Sequence, residues 1–249
     1  MISENDSRLC RARELLQQAT TIVAFSGAGI STASGLADFR SQGGLWERYR
    51  IVTFQEFLAD RDSRIAYWMM RRELIPELLA ARPNTAHRAL VKLERHGRLT
   101  RVITQNIDGL HQLAGSSNVI ELHGTNRTAS CLSCARQWPI AAIQQRLESG
   151  DLDPRCDDCQ GLIKPDTVSF GQSMPVAAMD HACQAAANCD LLLMIGSSLE
   201  VQPANQIPLI AHQAGARLIF INRTATSCDH LASISFQQDA ADILETLVD

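Results

Sequence analysis

An apolar run that breaks abruptly into small residues limits the fold of this chain more than any other stretch. Thr21-Ile-Val-Ala-Phe25 is rich in β-branched and aromatic residues and leads directly into Ser26-Gly-Ala-Gly29. That order predicts a buried strand, a tight glycine turn and a helix start. Gly27 and Gly29 carry no Cβ, so backbone N–H groups there can approach a pyrophosphate, and a helix N-terminus adds positive partial charge. The turn departs from the common dinucleotide fingerprint. Thr32 stands in the third glycine slot, and no acid closes a second strand about 20 residues later. On their own the glycines fit a plain strand–helix turn equally well. Asp38-Phe39-Arg40 strengthens the ligand reading: it places an acid, a ring and a guanidinium in a glycine-flanked loop that can fold over a bound molecule.

Along the rest of the chain, strand and helix patterns alternate. A helical apolar stripe covers residues 7–19 ahead of the first strand. Residues 54–81 read as mostly helical, with Pro76 bending or breaking them, and Asn84 caps a helix that stops at Gly97. Strands are expected at 99–104, 119–122, 190–195, 217–221 and 233–236, with helices at 203–214 and 240–248. The expected class is α/β: a doubly wound parallel sheet with a small inserted module. Residues 1–124 and 165–249 form the main domain, 125–164 the module, and 41–82 a helical insertion with a covering loop.

The module is where four cysteines appear. Cys131-x-x-Cys134 and Cys156-x-x-Cys159 are two knuckles separated by 21 residues. Each knuckle offers two thiolates on a tight turn, and two knuckles complete a tetrahedron for one Zn²⁺. Four protein ligands leave no open position, so this zinc is structural. The other four cysteines, Cys10, Cys183, Cys189 and Cys228, have no such spacing and read as small hydrophobes. Eight cysteines in all, with an acidic start unlike a signal peptide, point to a cytoplasmic protein using metal and free thiols. A net charge of −4 without a basic face gives no support for a nucleic-acid partner, and the longest apolar run is too short for a membrane span.

In an open parallel sheet, ligands bind beyond the carboxyl edge. Strand by strand, that edge presents Gly27-Ala28-Gly29, Gln105-Asn106-Ile107-Asp108, His123, Gly196-Ser197-Ser198 and Asn222. His123 follows a short strand and precedes Gly124, which makes it the best general-base candidate. Val168-Ser169-Phe170-Gly171 and Glu200-Val201-Gln202 read as extended segments able to accept a peptide as an added strand, or as ordinary loops.

Taken together, these stretches resemble the sirtuin family. The matching residues run from Gly27 to Arg40, then Thr104-Gln-Asn-Ile-Asp-Gly-Leu-His111, His123-Gly124, both cysteine pairs, Val168–Gly171, Gly196-Ser-Ser-Leu199 and Ile221-Asn222, in the family's order over nearly the whole chain. The resemblance implies a Rossmann-like, doubly wound parallel sheet with a small inserted zinc-ribbon module, in an enzyme that consumes NAD⁺ while removing an acyl group from a protein lysine. It implies that the acyl oxygen attacks the nicotinamide ribose carbon, that nicotinamide leaves, and that His123 is the base on a ribose hydroxyl. The products are then free lysine and O-acyl-ADP-ribose. It further implies that Gln105, Asn106, Ile107 and Asp108 surround nicotinamide and its ribose. Gly27, Ala28, Gly29, Thr32, Asp38, Phe39 and Arg40 would line the phosphates and the cover. Gly196, Ser197, Ser198 and Asn222 would hold adenosine, with Asp239 and Ala240 beside adenine. Val168 to Gly171 and Glu200 to Gln202 would clamp the substrate backbone.

Some positions depart from the pattern. Ala37 stands where the family commonly has proline, and Ser169 and Gln172 replace a large apolar residue and an acid. Tyr67 matches the tyrosine of the subgroup that removes acidic acyl chains, but the arginine expected three residues later is Met70, with Arg71 next. One residue turns a helix by about 100°. A short apolar acyl group such as acetyl is therefore expected, on acylated-lysine proteins or peptides, from a monomer. An ADP-ribosyltransferase or NAD glycohydrolase on the same site, and a non-catalytic NAD- and zinc-binding module, are the competing expectations.

Overall fold

A computed structural model describes residues 6–38 and 48–248. Six strands form one parallel sheet: β1 (Ile22–Ser26), β2 (Leu99–Thr104), β3 (Val119–Glu121), β7 (Leu191–Ile195), β8 (Arg217–Asn222) and β9 (Ile234–Gln237). Their order across the sheet is β3-β2-β1-β7-β8-β9. The chain thus starts in the middle, winds outward one way, and later returns to wind the other way from β7. In sheets of this kind ligands bind where the winding reverses, here beyond the carboxyl ends of β1 and β7.

The central strands are long apolar runs because helices cover both faces. Every residue of β1 and β7 is buried. Alternation along β1 divides them: Ile22 and Ala24 join a core with Leu9, Leu90 and Leu244, while Val23 and Phe25 join one with Ala182, Ile207 and Ala211. The first core is closed by helices Ser7–Gln18, Thr85–Arg95 and Ala240–Val248, the second by Val176–Ala187 and Gln206–Gln213. The helix at Val176–Ala187 has no counterpart among the expected elements.

A smaller antiparallel sheet, in the order β5-β4-β6, carries the cysteines: β4 (Gly124–Cys131), β5 (Gln137–Pro139) and β6 (Ile163–Thr167). Helix Ile140–Glu148 follows β5. A third core joins this sheet to the helical segment: Phe57, Tyr67, Trp68 and Ile75 pack with Ala129, Ile140, Ile143 and Ile163.

Two readings that the sequence leaves open are narrowed. Pro76 does not break its helix, which runs from Arg61 to Ala80. A proline leaves the carbonyl four residues earlier without its helical donor. Here that carbonyl, on Arg72, accepts from Gln144 Nε2 at 3.1 Å, so the neighbouring helix replaces the missing bond. Residues 200–203 are a turn, not an extended edge, closed by the Asn205 N–H on the Val201 carbonyl at 2.9 Å.

Candidate active site

The loops leaving β1 and β7 interlock. Gly27 N–H donates to the Ile195 carbonyl at 2.9 Å, and Gly29 N–H to the Gly196 carbonyl at 2.8 Å. A Cβ on Gly27 would lie 2.7 Å from the Gly196 oxygen, and one on Gly29 would lie 2.7 Å from Gly196 Cα. The glycines are required because two backbones pass at contact distance, and their own N–H groups are spent on carbonyls. The chain then makes two short 3₁₀ turns, Ala28–Ile30 and Thr32–Ser34, so the expected helix N-terminus is not there. Thr32 donates its hydroxyl to the Gly29 carbonyl at 3.0 Å, bracing the turn.

Beyond β2, residues Gln105 to Asp108 fold against this loop. Asn106 is buried, and its Nδ2 donates to the Gly27 carbonyl at 3.0 Å and to Ser31 Oγ at 3.2 Å. Ser31 Oγ donates in turn to Asp108 Oδ2 at 2.7 Å, while the Leu110 N–H donates to Asp108 Oδ1 at 2.8 Å. Asn106 and Asp108 are therefore held rigid by bonds that leave no rotamer freedom. Ile107 is fixed through its carbonyl, which accepts from the Asn126 N–H at 2.8 Å. Arg127, whose Nε donates to the Asp108 carbonyl at 2.6 Å, is not marked by any sequence motif, and Ser31 lies within the Gly27–Arg40 stretch without being singled out there. Their roles are tertiary, although Ser31 stands two residues after Gly29.

His123 lies two residues past β3, half-buried. Its Nδ1 is 2.9 Å from the Gln105 carbonyl oxygen. A carbonyl only accepts, so Nδ1 carries the proton and Nε2 carries the lone pair. Burial holds the imidazole below its ordinary value, against the opposing pull of that hydrogen bond. The ring is thus a neutral base in one tautomer. Gln105 also reaches the other loop, its Nε2 donating to Ser197 Oγ at 2.8 Å. One residue therefore spans from the imidazole to the Gly196 turn.

On the far side, Asn222 Nδ2 donates to the Ser197 carbonyl at 3.2 Å and to that of Thr224 at 2.9 Å. Gly196 and Ser197 are buried and Ser198 is exposed. Asp239 caps the last helix through the Ala241 N–H at 2.8 Å and pairs with Arg223; Ala240 is buried beside it. Asp38 is half-buried, and Phe39 and Arg40 lie outside the described residues.

Val168 and Ser169 follow β6 without entering a sheet. The Val168 N–H donates to the His123 carbonyl at 2.9 Å, which ties this segment to the residue that carries the imidazole. The Phe170 carbonyl accepts from the Phe54 N–H, and Gly171 from Gln55 Nε2, both at 2.9 Å. Exposed Glu200 and Gln202 flank half-buried Val201 in the 200–203 turn. Tyr67 is buried, edge-on to Phe57 at 5.1 Å, and Met70 packs into the same core. Arg71 stacks over the Tyr67 ring at 4.9 Å and donates to Asn126 Oδ1 at 2.7 Å.

The four cysteines converge. Cys131 and Cys159 sulfurs are 3.5 Å apart, those of Cys134 and Cys156 are 3.6 Å apart, and all four lie within 4.8 Å of one another. A tetrahedron of sulfurs about 2.3 Å from zinc has edges of about 3.8 Å, so the cluster fits the ion. It supplies four ligands and no open position, which makes the zinc structural.

Comparisons with known proteins agree with this geometry. A family model described as the Sir2 family matches residues 27–203. A protein from Thermodesulfovibrio yellowstonii named NAD-dependent protein deacetylase is 50% identical over 242 residues, covering 97% of this chain and 94% of its own. One of the same name from Sulfurisphaera tokodaii is 43% identical over 238 residues, covering 95% and 93%. A solved Sir2 structure with a deacetylated p53 peptide and 3′-O-acetyl-ADP-ribose superimposes with a TM-score of 0.91 at 36% identity, covering 96% of each chain. Another, of Sir2 with a p53 peptide and NAD⁺, gives 0.84 at 37% identity, covering 93% of each.

Proposed function

The chain belongs to the Sir2 family, and from that premise we infer how it works as an NAD⁺-dependent protein lysine deacetylase, transferring the acyl group to ADP-ribose with release of nicotinamide. The observation that carries the residue assignment is His123, a neutral imidazole whose Nδ1–H is pinned by the Gln105 carbonyl. NAD⁺ supplies an electrophilic ribose carbon and a cationic leaving group. Everything else is done by the chain's own residues.

Asn106 and Asp108, with Gln105 and Ile107, bind nicotinamide and its ribose on a surface already locked by Gly27 and Ser31. A rigid, largely dry wall costs no reorganisation as charge moves off the pyridinium, and it keeps water from the sugar. His123 Nε2 takes the proton from a ribose hydroxyl. Gly196, Ser197, Ser198 and Asn222 hold the adenosine side, with Asp239 and Ala240 beside the base. Ala28, Thr32 and Asp38 face the phosphates, while Gly27 and Gly29 serve by shape. Val168 to Gly171 and Glu200 to Gln202 grip the peptide, the first segment anchored to His123 through Val168. Residues 1–124 with 165–249 act as the NAD⁺-binding domain, 125–164 as the zinc module, and 41–82 as the cover.

The acyl group is acetyl. Arg71 is already engaged by Asn126 and the Tyr67 ring, and Met70 offers no charge to an acidic chain. Faster turnover of succinyl-lysine than of acetyl-lysine peptides would overturn this reading. The protein acts on acylated-lysine proteins or peptides in the cytoplasm, with no nucleic-acid or membrane partner. Among the described residues, no helix is long and apolar enough to cross a membrane. Incubation with NAD⁺ and an acetylated peptide, read by product mass, tests the whole. O-acetyl-ADP-ribose supports the proposal, ADP-ribose on protein or free in solution points to transferase or glycohydrolase activity, and intact NAD⁺ to a binding module.

A further inference from the structure

Two imidazoles lie buried behind the site, and the deacetylation chemistry uses neither. His87 sits on helix Thr85–Arg95, and His111 on the short helix Leu110–Ala114 just after Asp108. Their ring centroids are 4.9 Å apart, and each is at most 1% exposed. Burial pushes His87 down to about 4, with Asp108 pulling upward and Arg88 downward, and pushes His111 to about 3 with His87 beside it. Both are neutral, so each has one N–H and one lone pair, and the partners decide which nitrogen holds which.

At one end, the Asn106 N–H donates to Thr104 Oγ1 at 3.0 Å. Ser26 Oγ lies 2.9 Å from Thr104 Oγ1 and 2.9 Å from His111 Nε2. At the other end, Asn84 Nδ2 donates to the Ile30 carbonyl at 2.7 Å and to Ser34 Oγ at 3.0 Å, which makes Asn84 Oδ1 the acceptor. His87 Nδ1 is 3.1 Å from that oxygen. The Asn84 N–H also points at His87 Nδ1, at 3.4 Å, and the shorter contact to Oδ1 favours the proton on Nδ1 and the lone pair on Nε2. The atoms left without a partner are then His87 Nε2 and His111 Nδ1, both buried. They are complementary only if His111 carries its proton on Nδ1 and accepts from Ser26 on Nε2. Hydroxyl protons rotate to suit, so the side chains from Thr104 to Asn84 then run donor to acceptor in one direction.

We propose that His87 and His111 are positioning residues for NAD⁺: in a single tautomer order they tie the Ile30–Ser34 turn, through Asn84, to the Ser26–Thr104–Asn106 edge. These are two walls of one site, approached from behind. The inference rests on the reading of that site as the NAD⁺ pocket.

The first test is made on the full-length wild-type chain, ¹⁵N-labelled at histidine, by long-range ¹H–¹⁵N correlation at pH 7. Both His87 and His111 are expected as Nδ1–H tautomers; Nε2–H on either overturns the proposal. The second compares His111→Phe, which keeps ring volume and loses both polar atoms, with His111→Gln, which keeps an acceptor for Ser26. One buried hydrogen bond left unmade corresponds to about a ten-fold rise in the KM for NAD⁺. The expected result is that rise in the phenylalanine variant, with peptide KM and zinc content unchanged, and a partial return in the glutamine variant. A folded, zinc-loaded His111→Phe protein with wild-type KM for NAD⁺ would show that the pair positions nothing. Should the phenylalanine variant fail to fold, the tautomers decide alone. A wild-type chain that consumes no NAD⁺ would sink the functional reading while leaving the tautomer result intact.

Discussion

Replacing Gly29 by alanine probes the interlocked loops directly. The new Cβ would stand 2.7 Å from Gly196 Cα and 2.9 Å from the Gly196 oxygen. Ordinary van der Waals contact begins near 3.4 Å. The loops must therefore part by about 0.7 Å, and both sides of the contact are backbone, which cannot rotate away as a side chain can. Overpacking of this kind costs about 1–3 kcal/mol. A chain of this size loses about 2–4 °C of Tm per kcal/mol, so a fall of about 2–12 °C is expected. Function should suffer further. Ser197 follows the displaced residue, and its hydroxyl accepts from Gln105, which in turn orients His123. The KM for NAD⁺ should rise at least about ten-fold, corresponding to 1.4 kcal/mol, while peptide KM holds. Gly35→Ala is the control. It too is a glycine-to-alanine change near the turn, but a Cβ there meets nothing within 4 Å, and its φ of +84° makes the cost purely conformational. Asparagine tolerates that conformation, so Gly35→Asn should recover much of the loss. The assays are thermal unfolding and initial rates against NAD⁺. A Gly29→Ala enzyme with unchanged Tm and unchanged KM for NAD⁺ would refute the claim that close backbone approach is what this glycine provides.

Arg64 and Asp153 form a buried ion pair at 2.9 Å between the helical segment and the cysteine-bearing lobe. Arg64→Met should cost about 3 kcal/mol in urea unfolding, the low end for a broken buried pair, because Arg155 still reaches Asp153 at 3.0 Å. Burial alone would raise the Asp153 carboxyl, but Arg64 and Arg155 outweigh it and hold it below the ordinary value of 3.8. Its contribution is therefore complete above that value and lost as pH falls through the lower folded one; an Asp153→Asn variant should show a shallower acid loss of stability between about pH 5 and 2. Stripping zinc with a chelator, or Cys131→Ser, should release one metal ion per chain and unfold the small sheet, seen as lost solubility and near-UV signal; a metal-free protein with native spectra would contradict a structural zinc. Burial lowers His123, so the acid limb of kcat/KM should fall below the ordinary histidine value of 6.5, and a limb above it would show that another group is being titrated.

Much of this fold is legible in local sequence because its central strands are buried on both faces. An uninterrupted apolar run such as Leu191 to Ile195 has few other uses in a chain whose helices alternate with it. The edge residues Gln105, Asn106, Asp108 and His123 could be collected for the same reason: a parallel sheet sends all its strand ends one way. What local sequence misses is settled by distant partners. Pro76 stays helical because Gln144 reaches across from another helix. Gly27 and Gly29 are correctly marked as special, but the reason is Gly196, a residue far along the chain that packs against them. The helix Val176–Ala187 begins after Pro175 with no side-chain cap to announce it. Ser31 and Arg127 look like ordinary polar residues until folding brings both to Asp108.

The most direct test of the mechanism compares wild type with His123→Ala on an acetyl-lysine peptide and NAD⁺, counting every product by mass. Wild type should yield nicotinamide, deacetylated peptide and O-acetyl-ADP-ribose in equal amounts. The variant should keep its zinc and lose deacetylation by at least about 10²-fold, the usual contribution of a positioned base. Free acetate released with NAD⁺ intact, or a folded variant of undiminished rate, would contradict the claim that the imidazole at Gln105 drives acyl transfer to the ribose.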